Sequence, residues 1–311
     1  MGLQPFLTWP HPPERLKPTK MAKDLGIQPE TVKERISRLE KDGTITGYEI
    51  YPNFRHLGLI PSTYHFRVAD TAKKTRAIKD VGRAEGVVGI YNFVGPEVCV
   101  DLAHRGPHDL SRKIKIVEGL LGAEQAPYAC FDFHLPRVDR QLTALDWKII
   151  RTLRGNALRS YGDIGKELRI SARTVRRRFD RMVKEGSFDI VPIVDLGRIT
   201  GFILYELAVT FESVQTERSK NPLLELAAGA LCSAWPMPDQ QRHGMTMLLL
   251  ARTVSEIEVM RNRAADLPGI KNVDALLPSD SSTNDAWIDE AIAERIREPD
   301  LRPETLLPAE D

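Results

Sequence analysis

The feature that most constrains this chain is that it repeats itself. At an offset of 143 residues, MAKDLGIQPETVKERISRLEKDG (Met21 to Gly43) lies over IGKELRISARTVRRRFDRMVKEG (Ile164 to Gly186). Lys23 pairs with Lys166, Leu25 with Leu168 and Ile27 with Ile170. Thr31-Val32 pairs with Thr174-Val175, Arg35 with Arg178, Arg38 with Arg181 and Gly43 with Gly186. The register continues without a gap to Gly58 and Gly201. Self-similarity over a whole supersecondary unit points to a duplicated module.

The later copy spells out what the unit is. Ile164, Leu168 and Ile170 form one apolar run, and Val175, Phe179 and Met182 form another at spacings of four and three. That is one face of each of two helices. Arg169-Ile170-Ser171 is the turn between them, with Ser171 placed to cap the second helix and Gly186 placed to end it. The second helix turns Arg173, Thr174, Arg176, Arg177, Asp180, Arg181 and Lys184 away from the core. Two short helices, a tight turn and a basic outer face are what a helix-turn-helix needs to enter a major groove. The earlier copy has its turn at Gly26-Ile27-Gln28 and Pro29 in the first turn of its second helix. Between Lys20 and Gly43 it carries six basic and five acidic residues, so it is close to neutral.

A β-rich linking strand follows each pair, Thr44 to Tyr51 and Ser187 to Val194. After the first come a strand (Ser62 to Val68), a helix (Asp70 to Gly86), two strands about a Gly95-Pro96 turn (Val87 to Val94, Glu97 to Ala103), a helix (Pro107 to Gly122) and a strand (Ala126 to Leu135). After the second, the same order runs Phe202 to Phe211, Glu212 to Leu231, Ser233 to Met237, Met245 to Arg252, Ser255 to Leu267 and Ile270 to Leu277. The order β-α-β-β-α-β is the ferredoxin-like split unit. The expected fold class is therefore α+β, with two winged, three-helix helix-turn-helix units, each followed by a ferredoxin-like βαββαβ domain. The expected boundaries are an irregular Pro-rich lead-in at 1–18, the first helix-turn-helix with its linking strand at 19–58 and the first ferredoxin-like domain at 59–136. The second helix-turn-helix follows at 137–200, the second ferredoxin-like domain at 201–279, and an acidic tail with one helix (Asn284 to Arg297) at 280–311.

Charge distribution supports a nucleic-acid partner better than the net charge of +1 does. Residues 280–311 carry a net of −7, which leaves +8 on the remainder. No apolar run approaches the ~18 residues of a membrane helix. MGLQPFLTWPHPP has no secretory pattern, and three scattered cysteines form neither a disulfide framework nor a zinc site. A cytoplasmic protein without metal, cofactor or membrane partner is expected.

The pattern resembles the Lrp/AsnC (feast/famine) family of transcription regulators, twice over nearly the whole chain. Leu142, Leu145-Asp146, Ile149-Ile150 and Leu153 resemble the family's first helix; Ile164 to Gly186 resembles its helix-turn-helix. Leu25, Ile27, Thr31-Val32, Arg35-Ile36, Arg38-Leu39 and Gly43 match the same pattern. Val94-Gly95-Pro96-Glu97 resembles a Gly-containing turn of the family's ligand domain. The resemblance implies double-stranded DNA as partner, an amino-acid effector, self-association and, in a fused chain, an intrachain pseudo-dimer. It departs at the start, where no first helix precedes the first copy: that helix is either truncated or degenerate. It departs again at Met237 to Gly244, which replaces the tight turn in the second copy.

On this reading the DNA-binding residues are Ser171, Arg173, Thr174, Arg176, Arg177, Arg181 and Lys184, with Gln28, Thr31, Lys33 and Arg38 from the first copy. Gly95 and Glu97 are the effector candidates. Arg178 and Arg35 stand open between bracing the unit and touching DNA. No catalytic residue is assigned and the chain is read as no enzyme. Two alternatives stay open: a siroheme-decarboxylase-like enzyme using histidines such as His65, His104, His108, His134 or His243, and an interaction paralogue whose acidic tail covers the basic helix.

Overall fold

The computed structural model describes residues 18–123, 128–132, 138, 140–213, 217–237, 243–284 and 286–298. In chain order the first half gives α1 (Pro18–Leu25), α2 (Pro29–Lys41), β1 (Ile45–Pro52), β2 (Ile60–Arg67), α3 (Lys74–Val81), β3 (Val87–Phe93), β4 (Glu97–His104), α4 (Pro107–Leu121) and β5 (Tyr128–Asp132). The second half gives α5 (Ala144–Leu153), α6 (Tyr161–Leu168), α7 (Ala172–Lys184), β6 (Phe188–Val194), β7 (Ile203–Phe211), α8 (Glu217–Ala227), β8 (Leu231–Met237), β9 (Gly244–Ala251), α9 (Val254–Ala265) and β10 (Ile270–Leu276). β11 (Pro278–Thr283) and α10 (Ala286–Arg297) complete it. The result is a mixed α/β protein whose described residues gather into two compact units, each discontinuous in sequence.

One unit takes its described residues from Met1–Ile60, His134–Arg198 and Asp285–Asp311. Its centre is the apolar stripe of α5, where Trp147, Ile149, Ile150 and Leu153 are buried beside Ile164, Val175, Met182 and Phe188. Each such side chain contributes roughly 1.5–3 kcal/mol of burial. Met21, Ala22, Val32 and Ile45 make a smaller cluster with Ile27, Ile36 and Leu39. The two linking strands pair with each other: β1 and β6 run antiparallel from Ile45↔Val194 to Pro52↔Phe188. Arg154, at the end of α5, ties this ribbon down. It donates through Nη1 to the Ile50 carbonyl at 2.9 Å and through Nε to Asp289 at 2.8 Å. It also lies 3.2 Å from Glu49.

α10 packs against α5, with Ile288 and Ile292 fully buried and Trp287 stacked on Phe54 at 6.0 Å. This helix thus docks through Trp287, Ile288 and Ile292, in place of the alternative in which the tail covers the basic helix. Its apolar side is used against α5, because Ile288 and Ile292 are one turn apart on a single face.

The other unit takes its described residues from Pro61–Phe133 and Ile199–Asn284 and holds two antiparallel sheets. Their strand orders are β11-β3-β4-β2-β5 and β10-β7-β9-β8. Alternation places Phe66, Val68, Val98, Val100 and Leu102 against α3 and α4 residues such as Val81, Val117 and Leu121. In the second sheet Tyr205, Leu207, Val209, Met247 and Leu249 pack with Leu223, Ile257 and Ala264. The alternate residues Thr63, His65, Asp101, Glu206 and Thr246 are buried too. His65 on β2 meets Glu206 on β7 at 2.8 Å, so a polar layer joins the two sheets.

Three expected elements are corrected. The helix expected over Asp70 to Gly86 is confined to Lys74–Val81, because the Asp70 carboxylate accepts from Ala72 N–H in a turn and Gly86 takes φ 79°. The helix expected over Glu212 to Leu231 is Glu217–Ala227, and Leu231 already opens β8. Residues 280–283, expected to begin the acidic tail, lie in β11 and pair with β3. Its side chains are mostly exposed, so it is held by backbone bonds rather than by an apolar face. The remainder of the strand expected over Ala126 to Leu135 lies outside the described residues.

Candidate nucleic-acid interface

The basic helix is built from its inner face outward. α5 opens on a capping box in which Thr143 accepts from Asp146 N–H and the Asp146 carboxylate accepts from Thr143 N–H. Asp146 itself is fully buried. Burial works against its charge, but the Thr143 bonds, the Arg178 bond and the Arg181 charge outweigh it and hold the carboxyl below its ordinary value. Arg178 Nη1 donates to Asp146 Oδ1 at 2.8 Å, and Arg181 Nη2 lies 2.8 Å from the same oxygen. Two arginines three apart on α7 thus straddle one acid on α5, which fixes how the two helices meet.

The α6–α7 turn is tight. A Cβ on Gly165 would sit 2.7 Å from the Ile170 carbonyl oxygen, so that position admits glycine alone. Ser171 caps α7 by accepting from Thr174 N–H at 3.1 Å, and the two hydroxyls lie 2.9 Å apart. Behind the helix, Phe179 lies between Tyr161 and Phe188, with ring centroids 5.4 and 5.2 Å away and the rings tilted by 53° and 54°. Val175 and Met182 are fully buried.

The outer face of α7 presents Arg173, Arg176, Arg177 and Lys184 to solvent. Arg176 lies 3.6 Å from Asp180, an exposed pair of little energetic weight. Arg173, Arg177 and Lys184 have no ion pair among the described residues. Arg181, expected on this face, is half-buried, and its guanidinium turns back to Asp146 and to Glu185 at 3.8 Å. The single acid in the amphipathic stretch LTALDWKIIRTL, Asp146, was the signal that an arginine would be drawn inward. Arg178 resolves the same way.

The α2 face is different in kind. Gln28 sits at the N-cap without a side-chain cap bond. Lys33 lies 3.6 Å from Glu30, and an open cleft mixes Lys33, Glu34, Ser37, Arg38, Lys41 and Asp42. Thr31 is half-buried, and Arg35 is exposed, not braced. The acid that draws Arg178 inward belongs to α5.

The effector candidates are engaged within their own sheet. Gly95, at φ 94° in the β3–β4 turn, gives its carbonyl to Lys74 Nζ at 2.6 Å, and Phe93 gives its own at 2.7 Å. Glu97 accepts from Arg67 at 2.7 Å. Of the histidines, His65 pairs with Glu206, His104 lies 2.9 Å from Ser62 Oγ, and His108 is exposed on α4. His243 offers its carbonyl to Phe211 N–H. His134 and residues 238–242 lie outside the described residues. Among the described residues no His, Cys, Asp and Glu cluster could hold a metal, and no helix is long and apolar enough to cross a membrane.

Comparison with known proteins agrees on this segment. Residues 142–183 match the AsnC-type helix-turn-helix domain. The transcriptional regulator Ptr1 of Methanocaldococcus jannaschii is 49% identical over 45 residues, a match spanning 14% of this chain and 30% of that protein. The fold is similar to that of the siroheme decarboxylase NirDL, at 14% identity and TM-score 0.59, covering 94% of this chain and 98% of that one. The same enzyme with an iron-uroporphyrin III analogue gives 15% identity and TM-score 0.58 over 94% and 99%. The expectation that the chain is no enzyme is therefore corrected: structures matching it over 94% of its length are of an enzyme.

Proposed function

We propose that this chain is a sequence-specific DNA-binding transcription regulator of the Lrp/AsnC type that places α7 in a major groove. The observation that carries the reading is the division of labour on α7. Its inner arginines are spent on Asp146, while Arg173, Arg177 and Lys184 face solvent without an acid partner among the described residues. Arginines at such positions reach phosphate oxygens and guanine edges, and Ser171 and Thr174 sit where the first base contacts are made. Each good bidentate base contact contributes ~1–3 kcal/mol of discrimination.

The architecture proposed is a tandem duplication, each module a helix-turn-helix followed by a ferredoxin-like domain, so that one chain is a pseudo-dimer. Support comes from the 143-residue offset, from the β1–β6 pairing and from the matching strand orders β5-β2-β4-β3 and β10-β7-β9-β8. The α2 face, with Glu30 and Glu34 among its basic residues, is the weaker DNA contact. Further self-association and an amino-acid effector at the Gly95–Glu97 turn belong to the same reading. The test is fluorescence anisotropy of the full chain on labelled duplex from upstream of its own gene against random duplex of equal length. Preference for the upstream duplex is expected; equal affinity for both would contradict sequence specificity.

A second reading, a tetrapyrrole-binding enzyme of the siroheme-decarboxylase kind, is favoured by the 94% coverage of the chain by that fold. Its histidines would be His65 and His104. Both are already bonded, to Glu206 and Ser62, so substrate would have to displace those partners. Titration with iron uroporphyrin decides this reading: a shifted visible absorption band supports it, and an unshifted spectrum at saturating protein opposes it.

A further inference from the structure

We infer that Arg169, in the turn before α7, contacts a DNA phosphate and extends the interface beyond the recognition helix. The inference rests on the reading of α7 as that helix. Arg169 is the C-cap of α6 and takes φ 56°, ψ 44°, the left-handed region. Among the described residues it is the one non-glycine with positive φ. An L side chain there is disfavoured, because Cβ crowds the following carbonyl. The equivalent residue of the α1–α2 turn, 143 positions earlier, is Gly26 at φ 65°. The same backbone bend is thus made twice, once with the residue that suits it and once with arginine.

Nothing described within the chain accounts for that arginine. The turn is closed by backbone bonds, Arg169 N–H to Lys166 and Ile170 N–H to Gly165 at 2.9 Å, and any residue can make those. The side chain is exposed and has no hydrogen bond or ion pair among the described residues. Left-handed non-glycine residues persist where a function requires the side chain. Arg169 stands two residues before the Ser171 cap and four before Arg173, so its charge adds to the basic end of α7. In a helix-turn-helix the first helix crosses the DNA backbone while the second reads the groove. A guanidinium at the end of the first helix therefore meets phosphate oxygens, not base edges.

The experiment compares the wild type with Arg169→Gly and Arg169→Lys, by thermal unfolding and by anisotropy across a salt series on both upstream and random duplex. Arg169→Gly is expected to melt at the wild-type temperature or above. It should bind both duplexes several-fold more weakly, with the slope of log affinity against log salt shallower by roughly 1. Arg169→Lys should keep the slope. Wild-type affinity and slope in Arg169→Gly would overturn the inference, and so would a loss confined to the upstream duplex. If the wild type itself shows no salt-dependent binding, the reading of α7 fails and takes this inference with it, an outcome distinguished by the wild-type curve alone.

Discussion

Asp146 sorts the α7 arginines into two classes, those paired with it and those left exposed. Its carboxylate pairs with Arg178 and Arg181, while Arg173 and Arg177 stay exposed. Asp146→Ala should destabilise the fold by about 3–5 kcal/mol, the cost of stranding partly buried charges, as read by chemical denaturation. Its folded pKa is lowered, so the stability it contributes is present above the ordinary carboxylate value and lost as pH falls through the folded one. Asp101 has the opposite sign. Burial pushes its carboxyl up to about 6, against the hydrogen bonds from Thr63 and Tyr91. Its contribution is full below the ordinary carboxylate value and is lost as pH rises through about 6. Asp101→Asn, which keeps an acceptor for Thr63, should therefore raise stability at neutral pH by on the order of 2 kcal/mol and change little at pH about 4. Equal effects at both pH values would contradict this.

At the scale of elements, the sequence was most legible where periodicity and caps agree. α7 lies where its apolar spacing and Ser171 put it, and the period-two runs of β2 and β7 lie within a residue or two of expectation. It was least legible where backbone bonds act without apolar side chains. Residues 280–283 read as polar tail, yet they lie in β11, which completes the first sheet along β3. Helical spacing alone does not reveal that a buried acid on a neighbouring helix draws the Arg181 guanidinium back from the outer face. α10 supplies the element-scale prediction. Ile288→Ala and Ile292→Ala should each cost about 2–4 kcal/mol by opening a cavity against α5. They should leave DNA affinity unchanged at temperatures where the protein stays folded. A rise in affinity would instead indicate that the tail masks the basic face.

For the whole molecule, the central claim is asymmetry. Two similar helix pairs are tied by the β1–β6 ribbon, yet the more basic face belongs to α7, whose one acid is Asp180, while α2 intersperses Glu30 and Glu34 with its lysines. The repeat was legible in the sequence; the pairing of Arg178 and Arg181 with Asp146 of α5 was not. The most direct test is a salt series of DNA binding for the wild type, Arg173→Ala with Arg177→Ala, and Lys33→Ala. Removing one phosphate-binding cation reduces the slope of log affinity against log salt by about 0.9. The slope should therefore become shallower by nearly 2 for the α7 pair and stay near the wild-type value for Lys33→Ala. Equal losses from the two helices, or a wild-type slope in the α7 variant, would contradict the asymmetry.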